Sequence, residues 1–335
     1  MSFLVLAIAL AVALLLLTLA VAAALCWSVV FPRLVVPSSD SGAGSTDGAL
    51  ADRLRTHVEA IARTPHNIQH YAALERTAIY IEQALVRQGH EVAAQVFDAD
   101  GFEVRNLEVV IESSGEAPAN GTLVIGAHYD SPGDSPGAND NGTGVASLIE
   151  IAGLISQRRT PLGHRVRLVF FVNEERPYGK TDDMGSLRHA RALQQCGEHV
   201  AGMIALETLG YFSDAPGSQR FPFPFTWVYP DVGNFVAFVG LPRARRLVHR
   251  SLAAFRATQA FASIGGIAPG FVHGIDLSDH WAYDQCGFPA LMVTDTAPFR
   301  NPNYHQRHDL PETVDYDSLA RITVGLARMI ETIAR

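Results

Sequence analysis

Five side chains able to bind a metal crowd into one short stretch. Residues 126–144 read G-A-H-Y-D-S-P-G-D-S-P-G-A-N-D-N-G-T-G and hold His128, Asp130, Asp134, Asn139 and Asp140. Imidazole nitrogen and carboxylate oxygen are common donors to divalent metal ions. Taken alone, the stretch reads equally well as a solvated acidic turn. Matching pieces downstream shift that balance. Asn173-Glu174-Glu175 follows an apolar run at 166–172, and Glu207 follows another at 200–206. Tyr304-His305 and His308-Asp309 stand before the last helical segment, and Ser278-Asp279-His280-Trp281 lies between. Two adjacent carboxylates at the end of a buried strand are costly unless something positive answers them. A divalent cation would do so; Arg176 beside a solvated strand end would do so more simply. Neighbours on a strand point to opposite sides, so Glu174 and Glu175 cannot share one role. One can bind metal while the other faces a substrate as a base.

The elements that would position these residues alternate along the chain. Residues 49–62 and 73–87 carry helical periodicity, the second ending near Gly89. Residues 91–97 and 104–111 alternate as strands and can pair as a hairpin across 98–102. Strands are then expected at 122–127, 166–172, 200–206 and 290–294, and helices at 144–157, 185–195, 242–258 and 316–334. Such alternation predicts an α/β sandwich with a mixed, largely parallel sheet. The 126–144 stretch is then the loop after a strand, beyond its carboxyl end, where ligands bind in open α/β sheets. Residues 211–224, rich in Pro, Phe and Gly, read as a long surface loop near the site.

The 335 residues are enough for one sizeable domain and an appendage. Residues 3–31 carry no charge, and as a helix they would span about 44 Å at ~1.5 Å per residue. A cleaved signal would show a basic start and an apolar core of roughly 7–15 residues. Residues 1–32 therefore read as an uncleaved transmembrane anchor and 33–48, rich in Ser, Gly and Asp, as a flexible linker. Arg33, Arg53 and Arg55 lie beyond the anchor, which by charge alone places the body on the cytoplasmic side. The net charge of −8 argues against nucleic acid, and no basic patch with interleaved aromatics is present. Cys26, Cys196 and Cys286 form no disulfide framework and no C-x-x-C zinc pair, although a Cys196–Cys286 bridge stays open. With no G-x-S-x-G elbow and no cysteine in a nucleophile setting, covalent catalysis has little support.

In this order, H-Y-D-S, G-A-N-D-N-G-T-G, N-E-E, Gly185-Ser186, S-D-H and N-P-N-Y-H resemble the co-catalytic zinc aminopeptidases of the aminopeptidase Y and aminopeptidase S type. Glutamate carboxypeptidase II and glutaminyl cyclase are more distant relatives. The resemblance runs from about Leu74 to the C-terminus and implies a three-layer α/β/α catalytic domain over 49–335. It implies that Asp140 bridges two zinc ions, with His128 and Glu207 completing one and Glu175 and His305 the other. Asp130 would orient the His128 imidazole, Glu174 would be the general base, and Tyr304 would contact the tetrahedral intermediate. Many members carry Asp where this chain has Glu207. His308 is the rival of His305, but in the family the ligand is the His of a Tyr-His pair with Asp four residues on, which fits His305 and Asp309. Asp279 and His280 would line the site or serve as buried structural partners.

The implied chemistry is hydrolysis of the N-terminal residue from peptides with a free amine. Zinc would polarise the peptide carbonyl and lower the pKa of a water, whose proton Glu174 would take and pass to the leaving amine. Family habit places the body away from the cytoplasm, on a single membrane pass. Two other readings share the scaffold: glutaminyl cyclisation on one zinc, and a non-catalytic binding ectodomain. The second predicts missing ligands, and none is missing. The loop 138–144 is closer to the peptidase form than to the cyclase form.

Overall fold

The computed structural model of the chain describes residues 3–28, 48–114, 120–157, 161–221, 225–227, 229–258 and 260–335. Nearly all of the expected linker lies outside them, apart from Gly48, which already belongs to a helix.

Eight strands form one sheet: β1 (Ala93–Ala99), β2 (Phe102–Ile111), β3 (Thr122–His128), β4 (Arg165–Phe171), β5 (Val200–Glu207), β6 (Val236–Gly240), β7 (Ser263–Ile267) and β8 (Ala290–Thr294). Their order across the sheet is β1-β2-β4-β3-β5-β8-β6-β7. The central strands β4, β3, β5 and β8 run parallel, while β1–β2, β2–β4 and β6–β8 are antiparallel. The helices are α1 (Phe3–Ser28), α2 (Gly48–Ile61), α3 (Tyr71–Arg87), α4 (Thr143–Ser156), α5 (Gly185–Gln195), α6 (Arg245–Ala257), α7 (His280–Gln285) and α8 (Tyr316–Ile333). The mixed α/β sandwich expected from the alternation is present.

Burial on both faces explains why residues 123–127 of β3 and 200–206 of β5 are apolar, as strands covered on both sides must be. Successive β3 residues serve opposite faces. Leu123 and Ile125 join the cluster of Leu168, Phe170, Ile204 and Leu206, under α3, α4 and α6 with α2 and α8 packed against them. Val124 joins Val169, Phe171, Met203 and Ala205 on the side of α5 and α7. Asp315 caps the start of α8, its carboxylate accepting the Ser318 N–H at 3.0 Å.

Two strands and one helix were not expected: β6 (V-A-F-V-G), β7 (S-I-G-G-I) and the six-residue α7. Cys196 and Cys286 are both free thiols, which closes the bridge left open above. Helix α1 is hydrophobic all round, with residues 5–22 exposed and a mean hydropathy of 3.0 over that window. It is long and apolar enough to cross a membrane.

Candidate metal centre

Strand order gathers the candidate residues. The carboxyl ends of β4, β3 and β5 lie side by side, so residues 128, 174–175 and 207 meet although far apart in sequence. His128 ends β3, Glu207 ends β5, and Glu174-Glu175 follow β4 after Asn173, which turns the chain at φ 63°. Asp140 comes from the loop between β3 and α4, and His305 from the loop before α8, with φ 59°.

The geometry falls into two groups that share one carboxylate. His128 Nε2 lies 3.4 Å from Asp140 Oδ1 and 3.4 Å from Glu207 Oε2. His305 Nε2 lies 3.0 Å from Asp140 Oδ2 and 3.5 Å from Glu175 Oε1. Asp140 thus turns one oxygen to each imidazole–carboxylate pair. His128 Nε2 and both Asp140 oxygens are buried without a hydrogen-bond partner. Orphans of this kind cost about 1–3 kcal/mol each. A cation on each side would satisfy them, and the donors are those that zinc prefers. Ligand atoms of His128, Asp140 and Glu175 lie within 4.8 Å of one another, so one ion can reach all three. Glu174 stands aside, its Oε2 4.0 Å from His128 Nε2 and its side chain 15% exposed.

The electrostatics agree. Burial, then repulsion from neighbouring carboxylates, holds the Glu174 and Glu175 carboxyls well above their ordinary range, and burial raises Glu207 as well. Burial would also lower His128, but Glu207, Asp130 and Asp140 outweigh it and lift its imidazole well above the ordinary value. Asp140 is held low, because the facing His128 and His305 imidazoles outweigh its desolvation. Four carboxylates facing two imidazoles leave an excess of negative charge, which bound cations would neutralise.

A ring of hydrogen bonds fixes these residues. The Asp130 carboxylate accepts the Glu174 N–H at 3.0 Å and the Glu175 N–H at 3.1 Å. Its hold on His128 is made by the backbone rather than the carboxylate: the imidazole Nδ1 is 3.1 Å from the Asp130 carbonyl oxygen and 3.6 Å from its Oδ1. Asp309 accepts the Asn139 and Asp140 N–H groups at 2.9 and 3.0 Å, tying the Asp140 loop to the His305 loop. Asn141 Oδ1 accepts from Gly144 and Thr208, while its amide donates to Leu206. At Gly144 any Cβ would lie 2.6 Å from the Leu206 carbonyl oxygen, so only glycine lets α4 start this close to β5.

Several sequence candidates take other places. Asp134 is more than half exposed and pairs with Arg307, away from the cluster. Asn139 is structural, bonding Asp295 and the Gly210 N–H. His308 is exposed, whereas His305 joins the cluster. Burial pushes His280 down to about 4, and its Nε2 bonds the Ile275 carbonyl, a structural role. Asp279 is buried, its carboxyl pushed up to about 7 by desolvation. Sequence reasoning places Ser278 within the S-D-H motif but gives it no role; its hydroxyl donates to Glu207 Oε2 at 2.8 Å. The Tyr304 ring stacks on His305 with centroids 3.9 Å apart. A cleft of about 840 Å³, counting its open part, extends from Glu207 and Tyr304 between Phe221, Tyr229 and Phe299. Phe221 places the 211–224 loop beside the site, as expected; residues 222–224 are not described.

The comparisons with known proteins bear on this arrangement. The chain is 37% identical over 294 residues to the uncharacterized protein YfbL of Escherichia coli (strain K12), covering 84% of this chain and 88% of that one. Relatives from Pyrenophora and Leptosphaeria, named probable zinc metalloproteases, are 26% identical, and the chain spans 52–57% of their length. The fold matches the aminopeptidase from Aneurinibacillus sp. strain AM-1 with a TM-score of 0.66 at 14% identity, over 85% of this chain and 94% of that one. It matches Porphyromonas gingivalis glutaminyl cyclase with a TM-score of 0.62 at 20% identity, over 84% and 98%. A family model described as Peptidase family M28 matches residues 108–330. Because that span holds every residue of the cluster, and one relative shares more than a third of its residues along most of both chains, this protein belongs to peptidase family M28.

Proposed function

We propose that the chain is a zinc aminopeptidase with two metal positions, built from His128, Asp140 and Glu207 on one side and Asp140, Glu175 and His305 on the other. The observation that carries this reading is the Asp140 carboxylate, with one oxygen aimed at each imidazole–carboxylate pair. The orphaned atoms and the excess negative charge support it. Bound there, zinc supplies Lewis acidity and lowers the pKa of water toward neutrality. The rest is the work of this chain. Asp130 holds the Glu174 and Glu175 backbone, so that Glu175 turns to His305 while Glu174 is left facing His128. The Glu174 carboxylate takes the proton of the attacking water and returns it to the leaving amine. The Tyr304 hydroxyl donates to the oxygen that gains charge as water adds, in keeping with its place at the cleft and with burial that keeps it protonated.

The fold does not separate peptidase from cyclase, since solved examples of both match it. The loop A-N-D-N-G-T-G at 138–144 favours hydrolysis, as does the second group around His305. Aminoacyl-nitroanilides test the reading. The purified protein should cleave them, lose activity to a chelator, recover with zinc, and leave N-acetylated substrates intact. Turnover of the acetylated substrates at the same rate would instead indicate an endopeptidase.

Helix α1 is proposed to be an uncleaved single-pass anchor that holds the 49–335 domain outside the cytoplasm. Its uncharged length and exposed apolar surface support a membrane span, and the side is taken from family habit against the charge of Arg33, Arg53 and Arg55. Removing residues 1–37 should then give a soluble protein of unchanged activity, because every residue of the site lies beyond them. Release of the full-length protein by cleavage near Ala24 would make the segment a signal, and protease protection of the body in sealed cells reports its side.

A further inference from the structure

Helix α6 carries a charge at odds with the rest of the chain. Between Asp231 and Asp276 the sequence has no carboxylate side chain, yet it holds Arg243, Arg245, Arg246, Arg250 and Arg256, in a protein of net charge −8. The helix is two-sided. Leu247, Val248, Leu252 and Phe255 fall three and four apart and are buried in the core that α6 shares with α8. The opposite stripe presents Arg243, Arg246, His249, Arg250 and Ala253 at the same spacing, all exposed. Arg243 is answered by Asp284, whose Oδ1 lies 3.4 Å from its Nε, and Arg250 donates to the Ile333 carbonyl at 3.2 Å. Among the described residues no carboxylate pairs with Arg246 or Arg250. The neighbouring α8 and the residues just after it add exposed Arg328 and Arg335, opposed by the partly buried Glu331 and the terminal carboxylate.

A basic stripe on an amphipathic helix fits anionic lipid headgroups or nucleic acid. Nucleic-acid grooves add aromatic rings for bases to stack on, and the one aromatic of α6, Phe255, is fully buried. The chain itself supplies the other surface. Helix α1 ends at Ser28 and α2 begins at Gly48. Residues 29–47 between them reach at most about 65 Å at ~3.5 Å each. A domain of this length has a radius of gyration of about 19 Å. Every face of it is therefore within reach of a bilayer that holds α1.

We infer that the exposed face of α6 docks on the anionic lipid headgroups of the membrane that α1 crosses, with Arg246 and Arg250 at its centre. This rests on the reading of α1 as an anchor. Docking also sets the direction of the candidate site. Phe255 of α6 packs on Phe238 of β6, ring centroids 5.2 Å apart, whereas Ala237 and Val239, which point to the other face of that strand, line the cleft. A domain resting on α6 thus turns its cleft away from the lipid, toward peptides dissolved in water.

Energy transfer from α6 to the lipid surface tests this. The full chain, with Cys26→Ser and Cys196→Ser and a fluorescent donor on Ala253→Cys, is reconstituted into vesicles that carry an acceptor on their headgroups. Transfer should be high in phosphatidylcholine mixed with phosphatidylglycerol and low in phosphatidylcholine alone. An arginine near an anionic surface strengthens binding about fivefold. Arg246→Gln with Arg250→Gln should therefore lower the docked-to-undocked ratio about 10–30-fold, and the two Glu substitutions should lower it further. Salt at about 1 M, where the screening length is about 3 Å, should undock the unsubstituted helix without any change of sequence. Unchanged melting temperature and nitroanilide hydrolysis establish that the variants are folded. Equal transfer in both lipids, or transfer that neither salt nor the substitutions reduce, would overturn the docking and leave the anchor in place. Release of α6 from the anionic vesicles by a duplex oligonucleotide would overturn it in favour of nucleic acid. A chain that incorporates into neither kind of vesicle would overturn both the docking and the anchor.

Discussion

Glu174→Gln should reduce kcat about 10²–10⁴-fold while the protein keeps its zinc, the range associated with losing a general base. Glutamine has the shape of glutamate but cannot accept the proton. The structure separates the two neighbours in a way that makes the experiment decisive. Glu175 Oε1 is 3.5 Å from His305 Nε2 and its side chain is 8% exposed, whereas the Glu174 side chain is 15% exposed and only 4.0 Å from His128 Nε2. Both backbone N–H groups end on Asp130, which the substitution leaves alone. Zinc analysis beside the rate measurement checks the assignment. If zinc departs together with activity, Glu174 is a ligand and its role is exchanged with that of Glu175.

Asp140→Asn should weaken metal binding on both sides at once. Outer-shell changes in metal sites typically cost about 10–100-fold in affinity, so loss of a shared ligand should exceed about 100-fold. An asparagine presents one oxygen and a non-ligating amide, and it removes a charge from the point where both groups meet. Zinc should therefore raise the melting temperature of the wild type well above that of the variant, since a ligand bound only by the folded state stabilises it. Glu207→Gln, on one side only, should leave the His305 side able to bind. Retention of full zinc by Asp140→Asn would mean that this carboxylate bridges nothing.

Much of this arrangement could be read from local sequence. A buried strand that ends in Gly-Ala-His, or in Asn-Glu-Glu, carries its own signal, because polar residues at the end of an all-apolar run must be answered. His305 and Asp309 are marked only by the resemblance to the family, in which a Tyr-His pair is followed four residues later by Asp. Local patterns failed where the contact was long-range or the element short. Ser278 reaches Glu207 from 71 positions away, and no spacing rule links them. Five-residue β6 has apolar residues on both faces and no alternation, and the Gly265-Gly266 pair hides β7 from any strand preference. Asp134 failed in the opposite sense: it stands among the ligands in sequence, but the loop turns it to the surface and Arg307. The sequence could not show which residue would line the far end of the cleft, since that depended on the two strands it concealed.

The count of bound zinc bears most directly on the central claim. Metal-free protein should be titrated with zinc while leucyl-nitroanilide hydrolysis and conversion of an N-terminal glutaminyl peptide are followed together. The geometry around Asp140 predicts two equivalents bound per chain, nitroanilide hydrolysis that is complete only when both are present, and no cyclised glutaminyl product. One tightly held equivalent, with the glutaminyl peptide cyclised and the nitroanilide untouched, would contradict the account.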